Sequence, residues 1–276
     1  MNWIILLLAA SLLPAPRVKD EKLKPEQLIA KHLASIGPAD KLQAIKSRVT
    51  AGTTHVEFTV GGHASMDGDA NIVSQGTSLR ALFKYPSLDY PGELLAFDGK
   101  RTTVGQISPG KRSPLGNFLF HYDDAITHGL LFGVLSTSWA LETPEGKKSR
   151  MEVSGPKKVD GKLVYELKYV PQNGSNLTAY FDFDAETFRH VRSQMKVEVV
   201  SARANQKITD SAETTLYTIN ENYSDFKDVD GLTLPYTYKM DFSIDMPGGG
   251  FVGSWTYTVK QVLHNQPIDA KAFFPQ

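Results

Sequence analysis

The chain has 276 residues, enough for one substantial hydrophobic core or at most two. Its 30 basic residues balance 30 acidic ones, so no long-range field draws nucleic acid or an anionic membrane, and charge selects no partner. Cysteine is absent, which excludes disulfides, thiol chemistry and a lipid-attachment cysteine.

The opening MNWIILLLAASLLPAPRVKD reads as a secretory signal over about residues 1–18. It has an apolar run from Trp3 to Leu13, a small-residue exit near Ala15, and a sharp break to charge. The run is too short for a bilayer, which takes about 20 residues; a buried N-terminal helix is the alternative. An exported chain with no anchoring cysteine is expected to be soluble and periplasmic. Sequons at Asn173, Asn176 and Asn222 would matter only in a eukaryotic secretory route.

KPEQLIAKHLASIG predicts a helix with Leu28, Ile29, Leu33 and Ile36 on one stripe, ended by Gly37-Pro38; PADKLQAIKS predicts a second, short one carrying Leu42 and Ile45. From Ser47 to Gln106 about five strands follow, separated by glycine, proline and Asp-Gly turn signals. The period of two disappears between Ser113 and Leu141, where two short helices with a mobile joint are expected. Within it Gly129 to Trp139 forms a candidate lid that presents Leu130, Leu131, Phe132, Val134, Leu135 and Trp139, with Gly129 and Gly133 as hinges. From Arg150 strands resume in a long series linked by KKVDGK, QNGSN, DAETF, KDVDG and MPGGGF. No composition break divides residues 19–276, which read as one domain.

Several strands are long and apolar on one face. LTLPYTYKMDFSIDM places an apolar residue at every second position from Leu232 to Met246. Such a sheet must twist and coil around something. The filling is either an ordinary core or an apolar ligand, and the candidate lining is Leu234, Tyr236, Tyr238, Met240, Phe242, Met195, Val197, Trp255 and Tyr257. Buried phenols want a hydrogen-bond partner, and methionines supply adaptable apolar surface.

Three motifs in the last hundred or so residues carry a resemblance: a D-x-x-T-F turn at Asp184 to Phe188, V-D-G-L-x-L-P from Val229 to Pro235, and N-x-P-I-D…F from Asn265 to Phe274. Together they resemble the periplasmic outer-membrane lipoprotein carrier superfamily, the LolA/LolB-like proteins. That resemblance implies a mainly β fold: an unclosed antiparallel half-barrel of about eleven strands, with N-terminal and middle helices packing as a lid or plug over an apolar cavity for acyl chains.

No nucleophile elbow, zinc motif, phosphate loop or dinucleotide fingerprint appears. His121, Asp123, Asp124 and His128 in HYDDAITH could ligate a metal, although a solvated polar face is the ordinary reading. His55 and Glu57 share a strand face, as an exposed cross-strand contact would. Lys147, Lys148, Arg150, Lys157, Lys158 and Lys162 surround one hairpin and could touch lipid head groups.

The expected function is a non-enzymatic periplasmic carrier or binding protein for a hydrophobic acylated ligand, lipid or lipoprotein. It would need no cofactor and no metal, bind no nucleic acid, make transient membrane contact and engage envelope membrane proteins. A ligand-free envelope sensor or scaffold binding protein partners is the alternative, and a metal-dependent hydrolase a further one.

Overall fold

The computed structural model describes residues 23–142, 149–172, 175–201 and 213–274. The expected signal segment, Asn173, Lys147 and Lys148 lie outside them.

Helix α1 (Pro25–Ile36) starts with proline at a position whose N–H needs no helical partner, and Gln27 Oε1 accepts the Lys24 N–H at 2.8 Å. Leu28, His32 and Ile36, spaced by one turn, form its buried face. At its end a Cβ on Gly37 would lie 2.6 Å from the Leu232 side chain and 2.8 Å from the Gly231 carbonyl oxygen, so glycine allows this close seat. Helix α2 (Ala39–Ala44) follows directly.

The first strand series is β1 (Ser47–Val60), β2 (Ala64–Gln75), β3 (Ser78–Lys84), β4 (Gly92–Phe97) and β5 (Thr102–Val104). Helices α3 (Pro114–His121) and α4 (Asp124–Thr127) and a 3-10 turn at Gly133–Leu135 intervene. The second series is β6 (Ser149–Val159), β7 (Lys162–Pro171), β8 (Leu177–Asp184), β9 (His190–Ser201), β10 (Glu213–Val229), β11 (Leu232–Met246) and β12 (Gly249–His264). All twelve strands join one sheet, in the order β5-β4-β3-β2-β1-β12-β11-β10-β9-β8-β7-β6. Every ladder is antiparallel, and the one long-range seam, β1 with β12, splices the two series. β5 and β6 remain as edges, so the sheet is the expected unclosed half-barrel, with twelve strands among the described residues.

The turn chemistry explains the register. Asp160-Gly161 (φ 48 and 81) and Asp230-Gly231 (φ 58 and 79) are two-residue connections with both φ values positive, the geometry Asp-Gly favours in tight hairpins. In β11 the period of two buries Leu232, Leu234, Tyr238, Met240 and Phe242 and exposes Lys239. The row has one break. Pro235 supplies no ladder N–H, Asp225 on β10 takes φ 55, and Tyr236 lies half-buried with Lys227 Nζ 4.4 Å from its ring centre. Its outer end also departs from the expected apolar row: Ile244 is half-buried and Met246 is 44% exposed.

The two short helices of the middle region precede Gly129. Beyond it, Gly129 (φ 64), Phe132 (φ 66) and Gly133 (φ 45) prevent a helix, and the segment folds as irregular chain around one 3-10 turn. This segment fills the concave side of the sheet.

Candidate ligand-binding site

The three C-terminal motifs hold the helices. Asp184 Oδ1 accepts the Thr187 N–H and hydroxyl, both at 2.8 Å, which lets Phe188 adopt φ 57 and turn its carbonyl to α1. There His32 Nδ1–H donates to Phe188 O at 3.1 Å, and the Ser35 hydroxyl reaches the same oxygen at 3.2 Å. The Asp230 carbonyl accepts from Lys41 of α2 at 3.0 Å. Asn265 pins the far end of α2, accepting the Lys46 N–H at 2.7 Å and donating to Ala44 O at 3.1 Å.

Between these helices and the adjoining ends of the strands lies an open groove of about 1000 Å³. Ala30, Leu33, Ala34, Leu42 and Ile45 give it an apolar wall, and Lys46, Thr137 and Glu142 polar points. A groove this size is at the upper end of small-ligand sites, roughly 300–1000 Å³.

Inside the half-barrel, Leu130, Leu131, Phe132, Leu135 and Trp139 are fully buried and Val134 is 2% exposed. Phe132 packs between Phe83 and Tyr238, with ring centres at 6.4 and 5.4 Å. Trp139 meets Phe181 edge-on at 4.9 Å. The proposed lining residues Leu234, Tyr238, Met240, Phe242, Met195, Val197, Trp255 and Tyr257 are all buried on the sheet, while Tyr236 is only half-buried. Their polar atoms have partners within the protein: Tyr257 donates to Thr50 Oγ1 at 3.0 Å and Trp255 Nε1 to the Tyr90 hydroxyl at 2.9 Å.

Three buried polar side chains grip the backbone of the inserted segment. Glu221 Oε1 accepts the Phe132 N–H and the Tyr238 hydroxyl, each at 2.8 Å, and its Oε2 accepts from Tyr223 at 2.9 Å. Burial pushes the Glu221 carboxyl up, and these bonds pull it part of the way back. Ser74 Oγ accepts the Thr137 N–H at 2.9 Å. Arg48, fully buried on β1, donates through Nη1 to the Val134 carbonyl and through Nε to His264 Nε2 at 3.2 Å. Its ionic partner Glu142 stands 3.9 Å away, and Arg48 Nη2 has no hydrogen-bond partner among the described residues.

A fourth grip is aromatic. Trp139 Nε1–H donates to His32 Nε2 at 3.3 Å, while His190 stacks on the indole at 4.9 Å and 18°. Burial depresses His32 to about 4 and holds His190 far below its ordinary value, with His32 adding to the effect on His190.

Sequence reasoning missed Glu221, His190, His32 and Arg48. His32 sits one turn from both Leu28 and Ile36, a spacing that could have flagged it. Glu221 and Arg48 occupy inward strand positions where a charge looked like surface.

The HYDDAITH residues do not assemble, and no group of three His, Asp or Glu able to hold a metal occurs among the described residues. Asp123 accepts from Thr102 at 2.9 Å, Asp124 from Ser175 at 2.5 Å, and His128 Nδ1 meets the Tyr169 hydroxyl at 3.2 Å. The hydrolase alternative thereby loses its ligand set. His55 bonds across the strands to Asp67 at 2.8 Å rather than working with Glu57. In the basic hairpin, Lys157 is tied to Glu166 at 2.7 Å.

At the end of the sheet opposite α1 and α2, four apolar side chains face solvent. They are Leu88 (99% exposed) in the β3–β4 loop, and Val60, Val200 and Met246 near the ends of β1, β9 and β11. No described helix is long and apolar enough to cross a membrane.

No protein-family model matches the chain, and no curated protein matches it in sequence. Among solved structures it is similar to a LolA superfamily protein from Nitrosomonas europaea, at 10% identity over 91% of this chain and 97% of that one, with a TM-score of 0.47. It is also similar to an outer membrane lipoprotein-sorting protein domain from Vibrio parahaemolyticus, at 11% identity over 89% and 97%, TM-score 0.42. A chain of the Pseudomonas aeruginosa MucA/MucB complex matches at 9% identity over 87% and 99%, TM-score 0.23.

Proposed function

We propose that this chain is a periplasmic binding and carrier protein for an acylated ligand, a lipid or a lipoprotein, working by burial rather than by catalysis. The observation that carries the reading is the open apolar groove of about 1000 Å³ under α1 and α2. Thr137 of the segment that fills the half-barrel, and Glu142 just after it, form part of its wall. Each acyl methylene transferred from water gains about 0.8 kcal/mol, so a few suffice for useful affinity and many for displacement of that segment. Leu88, with its apolar neighbours at the opposite end, offers a membrane contact for loading or delivery.

The test is native mass spectrometry of protein purified from an envelope extract, followed by lipid analysis and titration with a fluorescent fatty-acyl probe. A co-purifying acyl species is expected, with probe binding weakened at least tenfold by Leu33→Asp or Leu42→Asp. A bare mass and no probe uptake would remove the carrier reading. That result would favour a ligand-free envelope scaffold, for which the complete burial of Leu130, Leu131, Phe132 and Trp139 speaks.

A further inference from the structure

We infer that the His32–Trp139–His190 contact is an acid-sensitive clamp that keeps the inserted segment in the half-barrel at neutral pH and lets it out as pH falls. This rests on the binding reading, since it regulates the same interior.

The geometry fixes the protonation state that closure requires. His32 Nδ1–H is committed to the Phe188 carbonyl at 3.1 Å, so Nε2 must carry the lone pair that accepts the Trp139 N–H at 3.3 Å. A proton on Nε2 would set two N–H groups against each other. His190 Nε2 lies 3.0 Å from the Arg192 carbonyl and 3.1 Å from the Ser193 hydroxyl, while its Nδ1 is buried without a partner among the described residues. A proton on Nδ1 would be a buried donor with no acceptor, and a Cβ on Gly133 would stand only 2.8 Å from that atom, so the space there is closed. The two imidazoles are 6.1 Å apart, and charging both would also bury like charges.

Residues of three strands surround the clamp. From β8 the indole and imidazoles meet Phe181 and Phe183, which do not titrate. From β9 the Arg192 side chain is paired with Asp182 at 3.0 Å. From β10 come Tyr223, whose ring is 4.5 Å from His190, and Glu221 behind it. Burial raises Glu221, and also Glu142 beside Arg48, so acid neutralises both carboxyls and favours closure. Hydrogen bonds to Glu221 and the Arg48 charge beside Glu142 offset part of that burial. Burial of the imidazoles is offset only by the hydrogen bonds to the Phe188 and Arg192 carbonyls, one on each ring, and the clamp takes their sign. His32, held at about 4 when buried and near 6.5 when released, alone raises the ratio of open to closed protein roughly 40-fold between pH 6.5 and 4.5.

The experiment uses the full chain labelled with 5-fluorotryptophan and followed by fluorine NMR from pH 7.5 to 4.5. The Trp139 signal is assigned with Trp139→Phe. It is expected to move to a solvent-exposed position with a midpoint below pH 6.5 while the Trp255 signal stays in place. His32→Gln with His190→Gln, which keeps hydrogen-bonding groups but cannot titrate in this range, should abolish the movement. The inference fails if Trp139 does not move, if Trp139 and Trp255 move together, or if the glutamine variant behaves as the parent. Should that variant not fold, imidazole carbon-bound proton signals of the parent decide: opening without protonation of the two histidines overturns the clamp. None of these readouts involves ligand, so absence of acyl uptake at any pH would count against the carrier reading alone.

Discussion

Replacing Phe132 by alanine should weaken the inserted segment without touching the polar bond that holds it, because Glu221 accepts from the Phe132 backbone N–H, which alanine retains. The lost ring is fully buried between Phe83 and Tyr238, and a large-to-small change at such a site costs about 3–5 kcal/mol. Alanine gains nothing back at φ 66, since any Cβ is strained there. If closure of the segment carries that cost, the open fraction rises by roughly two orders of magnitude or more at 1.4 kcal/mol per decade. A ligand that needs the open state then binds with an apparent affinity increased by the same factor, up to the point where the open state dominates. A core-cavity substitution should thus tighten binding. Hydrogen exchange of peptides spanning residues 129–141, compared with β11, reports the opening, and titration with a fatty-acyl probe reports affinity. Faster exchange over 129–141 with unchanged or weaker probe binding would refute the idea that segment and ligand compete for one interior.

Two further outcomes test other parts of the molecule. Leu88→Asp should leave thermal stability within about 0.5 kcal/mol, because the side chain is 99% exposed, yet reduce co-sedimentation with lipid vesicles; unchanged partition would remove the membrane contact from the loop. Glu93, buried on β4 and pushed up to about 7, opposes folding once ionised. Its contribution is fully present below pH 4.5 and is lost as pH rises through 7, a change of about 3 kcal/mol, so Glu93→Gln should flatten the denaturation free energy between pH 5 and 8. A parent protein whose stability does not decline over that range would contradict this.

Periodicity and turn chemistry made the strands legible. Asp-Gly between alternating apolar runs specified the β6–β7 and β10–β11 hairpins, and the even-numbered row of β11 could be read inward from Leu232 to Phe242. It failed where the backbone leaves the ladder, at Pro235 and Tyr236, because a period of two assumes regular pleating. The segment after Gly129 was legible as apolar but not as irregular chain, since φ 66 at a phenylalanine has no composition signal. Least legible were Glu221, Arg48 and His190. A buried charge looks like a surface charge until the partners are known, and Glu221 finds Phe132 across 89 positions and Arg48 finds Val134 across 86.

Those partners bear on the ligand. Glu221 and Ser74 present acceptors to the N–H groups of Phe132 and Thr137, and Arg48 presents a donor to the Val134 carbonyl. An occupant that is only a hydrocarbon would replace the apolar contacts of the segment and leave each of these three groups one hydrogen bond short. Each buried polar group so abandoned costs about 1–3 kcal/mol. On the binding reading, a ligand with amide groups beside its acyl chain would meet the same acceptors and donor, which favours an acylated peptide over a free fatty acid. An N-palmitoyl tetrapeptide should therefore displace a fluorescent fatty-acyl probe at a concentration at least tenfold lower than palmitate does. Glu221→Leu, which removes one acceptor, should narrow that difference. Equal competition by the two compounds would mean that the chain enters by its acyl end alone and that Glu221, Ser74 and Arg48 serve the closed state only.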